Sequence, residues 1–177
     1  MTSNATFDDL EEPSREIRVA WQTRLSALGK EHWYLAEIEA FSHWIDASSV
    51  TPSMRKMVED AIVWHRDGIG DTKQLGQLYE TTFLEDQNFL NECTDSFKQS
   101  YAHAAAVAIG RNAVFPSVPY LEGEGDAEPD DWDVSFYVSL YVSGGATWED
   151  VEIDRVSRGR FWRWYESEVE RRCSGMK

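Results

Sequence analysis

The segment Arg160-Phe161-Trp162-Arg163-Trp164-Tyr165 places four large aromatic side chains within six residues, and residues 166–172 continue it with a composition compatible with a helix. At about 100° per residue, the four rings cover an arc of roughly 160° on a helix, and Arg163 lies opposite their centre. Each ring can bury on the order of 150–250 Å², so this helix needs a partner surface. We expect it to dock on helices supplied earlier in the chain.

The composition fits one globular domain. With 177 residues, the chain is large enough to bury a core without disulfides or metal, and its eight Trp, seven Tyr and eight Phe predict an aromatic core. The two cysteines, Cys93 and Cys173, are far apart and show no metal-type spacing. We interpret both as reduced thiols of a cytoplasmic protein.

The charge is strongly negative, since 32 acidic residues face 17 basic ones and the net charge is −15. Such a balance favours a basic partner and argues against direct binding to nucleic acid or to an anionic membrane, although general solubility would also explain it. No apolar run approaches the roughly 18 residues of a membrane span. Residues 1–12 have no basic start and no apolar run, so we expect a mobile lead-in rather than a secretory signal, followed by one domain over residues 13–177.

Helical periodicity dominates the first two thirds of the chain. Apolar stripes with spacings of three and four residues begin at Ile17, Tyr34, Met54, Leu75 and Phe97. The stripe that begins at Leu75 continues through Leu78, Tyr79 and Thr82 to Phe83. The boundaries are also marked, because Thr51 precedes a proline, Gly68 is a helix stop, and Asp71 can cap the next helix.

The fifth of these helices contains the small-residue run 104–108 and is predicted to be the central helix of a bundle. Pro116 and Pro119 end it. The acidic segment that follows, residues 122–133, holds seven acidic residues and no basic one, so it cannot pack as core. Counted to Asp154, eleven acidic and no basic residues occur in 33 positions.

Residues 134–143 carry two periods at once. Valine, phenylalanine and leucine alternate with serine and tyrosine, which is typical of a strand, yet Val134, Tyr137, Val138 and Tyr141 also form a helical stripe. Because no second strand is visible, we expect a helix capped by Asp133 and stopped by two glycines; the strand remains the alternative. The fold prediction is therefore all-α, a single-domain bundle of about six to seven helices with a long acidic loop before the last two.

A search for chemistry finds no catalytic residue, no metal site and no cofactor motif. None of the four histidines has metal or catalytic spacing, and His65 and His103, on or near apolar stripes, are expected to be hydrogen-bonded core residues. Residues 126–133 are rich in carboxylates, but the sixth and twelfth positions counted from Asp126 are Asp131 and Tyr137, where an EF-hand has glycine and glutamate.

Three parts of the chain together resemble a known class of protein. They are the run from Arg55 to Gly68, the helix 101–108, and the ending 143–165 with its aromatic segment. Over residues 52–172 the chain is similar to the all-helical immunity proteins that bacteria encode beside secreted polymorphic toxins. A polar run, residues 166–172, stands where related sequences have an apolar tail, so the resemblance gives the class and no subfamily.

The resemblance implies a cytoplasmic protein that binds a cognate toxin and blocks its active site or an essential surface, without catalytic residues or cofactor. Many such toxins act on nucleic acid through basic grooves, which an acidic inhibitor can occupy. We therefore predict that an acidic surface contacts a basic toxin domain, such as that of a nuclease or another enzyme that targets nucleic acid. The predicted partner-binding residues are Glu122, Glu124, Asp126, Glu128, Asp130, Asp131, Trp132, Asp133, Glu149 and Asp150.

Two other classes of function stay open at this point. An acidic helical adaptor or scaffold without a toxin partner would have the same composition. A helical enzyme that holds a metal with scattered carboxylates would be stabilised by that metal. The pattern indicates neither the toxin's activity nor the oligomeric state.

Overall fold

A computed structural model describes residues 13–92, 97–115, 133–146 and 152–175. These ranges contain seven α-helices and one short 3₁₀ turn at Ala47–Ser49, and no strand. The helices are α1 Arg15–Ser26, α2 Lys30–Trp44, α3 Pro52–Asp67, α4 Thr72–Glu92, α5 Phe97–Val114, α6 Val134–Ser143 and α7 Arg155–Ser174. The predicted all-α bundle is confirmed, with the acidic segment between α5 and α6. The boundary at residue 13 stays a prediction, because residues 1–12 lie outside the described ranges.

The local boundary signals act as the sequence indicates. Thr51 Oγ1 accepts a hydrogen bond from the Met54 amide at 3.2 Å, and Gly68 ends α3 in the left-handed conformation with φ 63°. Asp71 accepts from the Lys73 amide at 2.9 Å before α4. No described helix combines the length and the hydropathy needed to cross a bilayer.

The centre of the bundle is α5, which packs against α2, α3, α4 and α6. Its small residues allow this, since Ala102, Ala105 and Ala106 are fully buried and keep the neighbouring backbones close. Gly110 is the tightest point, because a Cβ built there would overlap the Met57 sulfur and lie 3.1 Å from the Tyr79 ring. All seven helices contribute to one hydrophobic core.

The aromatic face of α7 docks as predicted. Phe161 and Trp162 are completely buried, and the Phe161 ring lies 5.7 Å from Trp44 of α2 in an edge-on contact. Trp21 of α1 lies 6.3 Å from Trp162. α7 therefore holds α1 and α2 together through ring contacts, which are favourable beyond the area they bury.

The ambiguous residues 134–143 form α6, so the helical prediction is confirmed. Both periods are present because almost the whole circumference of this helix is buried. Its serines become compatible with the core by bonding inside the helix: Ser139 Oγ donates to the Phe136 carbonyl at 2.7 Å, and Ser143 Oγ donates to the Ser139 carbonyl at 2.9 Å.

Two expectations are wrong in part. His103 is buried, but neither of its ring nitrogens has a hydrogen-bond partner among the described residues, and Nδ1 stays 4.0 Å from Asp86 Oδ1. His65 likewise leaves Nε2 without a described partner and stacks on the Tyr34 ring at 4.6 Å. Burial lowers the pKa of both imidazoles, so folding favours their neutral forms.

Candidate functional site

Most of the predicted partner-binding residues lie outside the described ranges. These residues are Glu122, Glu124, Asp126, Glu128, Asp130, Asp131, Trp132, Glu149 and Asp150. Their role in binding therefore stays a prediction. Asp133, the last residue of the acidic segment, is described, and it is where the site can be built from contacts.

Asp133 caps α6. Its Oδ1 accepts from the Phe136 amide at 2.7 Å and from Ser135 Oγ at 2.9 Å, which satisfies one of the free donors at the helix start. Its Oδ2 lies 3.7 Å from the Arg18 guanidinium of α1, with both side chains largely buried. The end of the acidic segment is thus fixed to the bundle by a cap and an ion pair.

A second carboxyl group reaches the same helix end from α2. Glu37, which is only 1% exposed, accepts from the Ser135 amide at 2.7 Å and from the Tyr165 hydroxyl of α7. Burial and the nearby Asp133 charge raise the pKa of Glu37 to about 8, and burial beside Glu37 raises the pKa of Tyr165 well above its ordinary value. Both shifts favour the uncharged forms at neutral pH.

The described surface also carries an apolar groove. Its apolar lining is Val63 and Trp64 of α3, Ile69 of the connecting turn and Leu75 of α4, and its volume is about 310 Å³. Polar side chains complete the lining: Lys56, Asp60, Asp71 and Gln74. Ile69 is 67% exposed. A groove of this size can accept an apolar side chain of a binding partner.

Further apolar side chains are exposed along α4 and just after α5. Phe83, predicted on the buried stripe, is 42% exposed, and Leu84 and Phe115 are exposed as well. The prediction for Phe83 is wrong because α4 packs mainly against α3 and α5, and its apolar stripe is wider than the surface that covers it. The sequence did indicate exposed apolar side chains on this helix, since Leu84 and Leu90 lie off its apolar stripe.

The chemistry available at these places is that of binding. Among the described residues, no three histidine, cysteine, aspartate or glutamate side chains converge on a possible metal position. The carboxyl groups of Glu37 and Asp133 are used by donors from α1, α6 and α7. What the described surface offers a partner is exposed carboxylates and apolar side chains.

Comparison with known proteins gives one match. No curated protein and no solved structure matches the chain. The model of the family described as Immunity protein Imm5 matches residues 40–171, which is well over half of the chain and includes the last turn of α2, all of α3 to α6 and most of α7. The chain therefore belongs to the Imm5 family of immunity proteins.

Proposed function

We propose that this protein neutralises a cognate toxin by binding it directly in the cytoplasm, without chemistry of its own. Membership of an immunity family carries the proposal, because a protein of this class implies a toxin partner. The bundle needs neither cofactor nor catalytic residue for that role. A rigid core with exposed acidic and apolar side chains is sufficient to occlude another protein's active site.

The partner surface is basic in this proposal. The chain has a net charge of −15, and residues 122–133 contribute seven acidic groups with no basic one among them. An acidic surface accelerates association with a basic one and selects against acidic partners. A toxin that binds nucleic acid, such as a nuclease, presents a basic groove of that kind.

The structure changes which acidic residues should be tested. Asp133 caps α6 and pairs with Arg18, so its reversal would damage the fold as well as any interface. Asp130 and Asp131 are the better pair, with Asp133 left intact. As a competing interface, the apolar groove can be blocked by Ile69→Glu, since this side chain is mostly exposed and its replacement leaves the core unchanged.

The first experiment is co-expression with the toxin domain encoded next to the gene. We expect the toxin domain alone to stop growth, the pair to grow, and the two proteins to purify as one complex. Toxicity without rescue, or rescue without a complex, would contradict direct neutralisation. Absence of any toxicity would favour the adaptor hypothesis.

The second experiment maps the interface on that complex. We expect Asp130→Lys with Asp131→Lys to weaken toxin binding while the thermal unfolding midpoint stays unchanged, and Ile69→Glu to have little effect. The opposite result would move the interface from the acidic segment to the groove between α3 and α4.

A further inference from the structure

Side chains from α1, α2 and α7 hold the start of α6 in place. The Glu37 carboxyl from α2 accepts the Ser135 amide, and the Tyr165 hydroxyl from α7 donates to the same carboxyl. Arg18 from α1 pairs with the capping Asp133. Four helices therefore meet at one buried polar cluster, which two carboxyl groups hold together, Asp133 through a cap and an ion pair and Glu37 through two hydrogen bonds.

A small cavity opens inside this cluster. Its lining includes Arg18, Gln22, Glu37, Asp133 and Tyr165, and it leaves about 10 Å³ for the centre of a water molecule, which is enough for one. Gln22 is buried, with 8% of its surface exposed, and its Oε1 has no hydrogen-bond partner among the described residues. A buried amide oxygen without a donor is costly, and a bridging water is the usual remedy.

The neutral Glu37 carboxyl group, in turn, has a proton that needs an acceptor. With the Ser135 amide and the Tyr165 hydroxyl both donating to it, as the structure has them, the carboxyl needs a third group to accept its own proton. A water molecule in the cavity accepts that proton and donates onward to Gln22 Oε1. We propose that Glu37, one buried water molecule and Gln22 form a proton-dependent clasp that holds the start of α6 against α1, α2 and α7.

The charged groups around Glu37 set the direction of the response. Arg18 of α1, Asp133 before α6 and Tyr165 of α7 face the cavity, while α3 and α5, which also pack on α2, contribute no residue to its lining. Burial comes first and the Asp133 charge second in raising the pKa of Glu37 from 4.5 to about 8. When the clasp opens, water reaches Glu37 and its pKa returns towards the ordinary value.

The resulting pH dependence can be worked out. Between pH 4.5 and pH 8 the closed clasp keeps a proton that the open one has lost, so each added pH unit favours opening about tenfold. Above pH 8 both states are ionised and the dependence ends. The opening equilibrium of the α6 start thus changes most steeply across neutral pH.

Amide hydrogen exchange measured by NMR on the isolated protein tests the clasp. The quantity to compare is the protection factor, the ratio of the intrinsic to the observed exchange rate. We expect the protection factors of the Ser135 and Phe136 amides to fall about a hundredfold over two pH units below pH 8 and then to level off. Amides of α4 that exchange by local opening should show no such change. Protection of Ser135 that does not depend on pH would overturn the proposal.

Two variants separate the clasp from simple packing. Glu37→Gln keeps an acceptor for the Ser135 amide and a donor in place of the acid proton, so its Ser135 protection should be independent of pH. Gln22→Met keeps the side-chain volume but removes the acceptor for the water, so the levelling point should move to lower pH. An unchanged slope in Glu37→Gln, or an unchanged levelling point in Gln22→Met, contradicts the clasp.

The ¹³C chemical shift of the Glu37 side-chain carboxyl gives a readout on the unmodified protein. We expect it to titrate at the same pH at which the protection of Ser135 levels off. Titration near pH 4.5 would overturn the proposal even if neither variant folds.

Discussion

Glu37 and His65 give the stability of the fold opposite dependences on pH. Burial and the Asp133 charge raise the pKa of Glu37 to about 8, so the folded state keeps a proton there that the unfolded chain loses above pH 4.5. Burial lowers the pKa of His65 to about 4, so the folded state lacks a proton that the unfolded chain holds below pH 6.5. His103 acts in the same direction as His65.

These residues predict a two-part stability profile. Between pH 5 and 6.5 the contribution of Glu37 opposes those of His65 and His103, so one histidine offsets Glu37 and the free energy of unfolding should rise with pH by what the other histidine adds. Between pH 6.5 and 8 only Glu37 remains, and the free energy of unfolding should fall by up to about 1.4 kcal/mol per pH unit. Urea unfolding at several pH values measures this. In Glu37→Gln the free energy should instead rise to pH 6.5 and then stay constant.

A matched variant checks the histidine contribution. His65→Phe keeps a ring stacked on Tyr34 but removes the titrating group. Below pH 6.5 its free energy of unfolding should rise less with pH than that of the unmodified protein, because only His103 is left to oppose Glu37. If Glu37→Gln shows the same loss between pH 6.5 and 8 as the unmodified protein, another group causes that loss.

The sequence reveals the helix caps but not the partners of the buried residues Glu37 and His103. Thr51, Asp71 and Asp133 could be predicted as caps from the sequence, because a cap and the amide it bonds are only two or three positions apart. Glu37 was not singled out, because its donors Ser135 and Tyr165 are 98 and 128 positions away. No local pattern encodes such a pair, and the missing partners of His103 could not be seen for the same reason.

At the scale of helices, α6 shows why two periods can coexist. A strand pattern with period two and a helix pattern with period 3.6 both require some positions to be polar, and in α6 those positions are serines whose hydroxyls bond within the helix. The helix prediction depended on Asp133 and the glycine stop rather than on the apolar pattern. Phe83 shows the converse, since its position on the α4 stripe gave no information on how much of that stripe a neighbour covers.

The close approach of α3 and α5 gives a prediction about helix packing. A Cβ on Gly110 of α5 would overlap the Met57 sulfur of α3, so Gly110→Ala should destabilise the protein by about 1–3 kcal/mol despite the better helix propensity of alanine. The same substitution at Gly76 of α4 meets nothing within 4 Å and should stabilise by up to about 1 kcal/mol.

Chemical unfolding of the two variants beside the unmodified protein measures both effects. Because the substitution is identical, the difference between Gly110→Ala and Gly76→Ala isolates the packing cost from the propensity gain. Equal stabilisation by both variants would mean that Met57 moves aside freely and that Gly110 does not set the spacing of α3 and α5.

At the scale of the whole molecule, ion pairs hold helices together without balancing the charge. Arg24 of α1 pairs with Glu170 of α7 at 2.6 Å, and Arg172 of α7 pairs with Glu39 of α2. Such exposed pairs add little stability each. Each pair uses one acidic and one basic side chain, so pairing leaves the excess of acidic residues, 32 against 17 basic ones, unbalanced for a partner to meet.

This excess predicts how the toxin complex responds to salt. Raising the salt concentration from about 0.01 M to about 0.1 M shortens the screening length from roughly 30 Å to roughly 10 Å, so the association rate should fall tenfold or more while the dissociation rate changes little. Stopped-flow mixing with the toxin domain measures both rates. Asp130→Lys with Asp131→Lys should flatten the salt dependence more than Glu59→Lys with Glu80→Lys, which alters two exposed residues of α3 and α4 and changes the net charge equally. If the two double variants behave alike, the field of the whole molecule guides the toxin, and the acidic segment has no special part in the encounter.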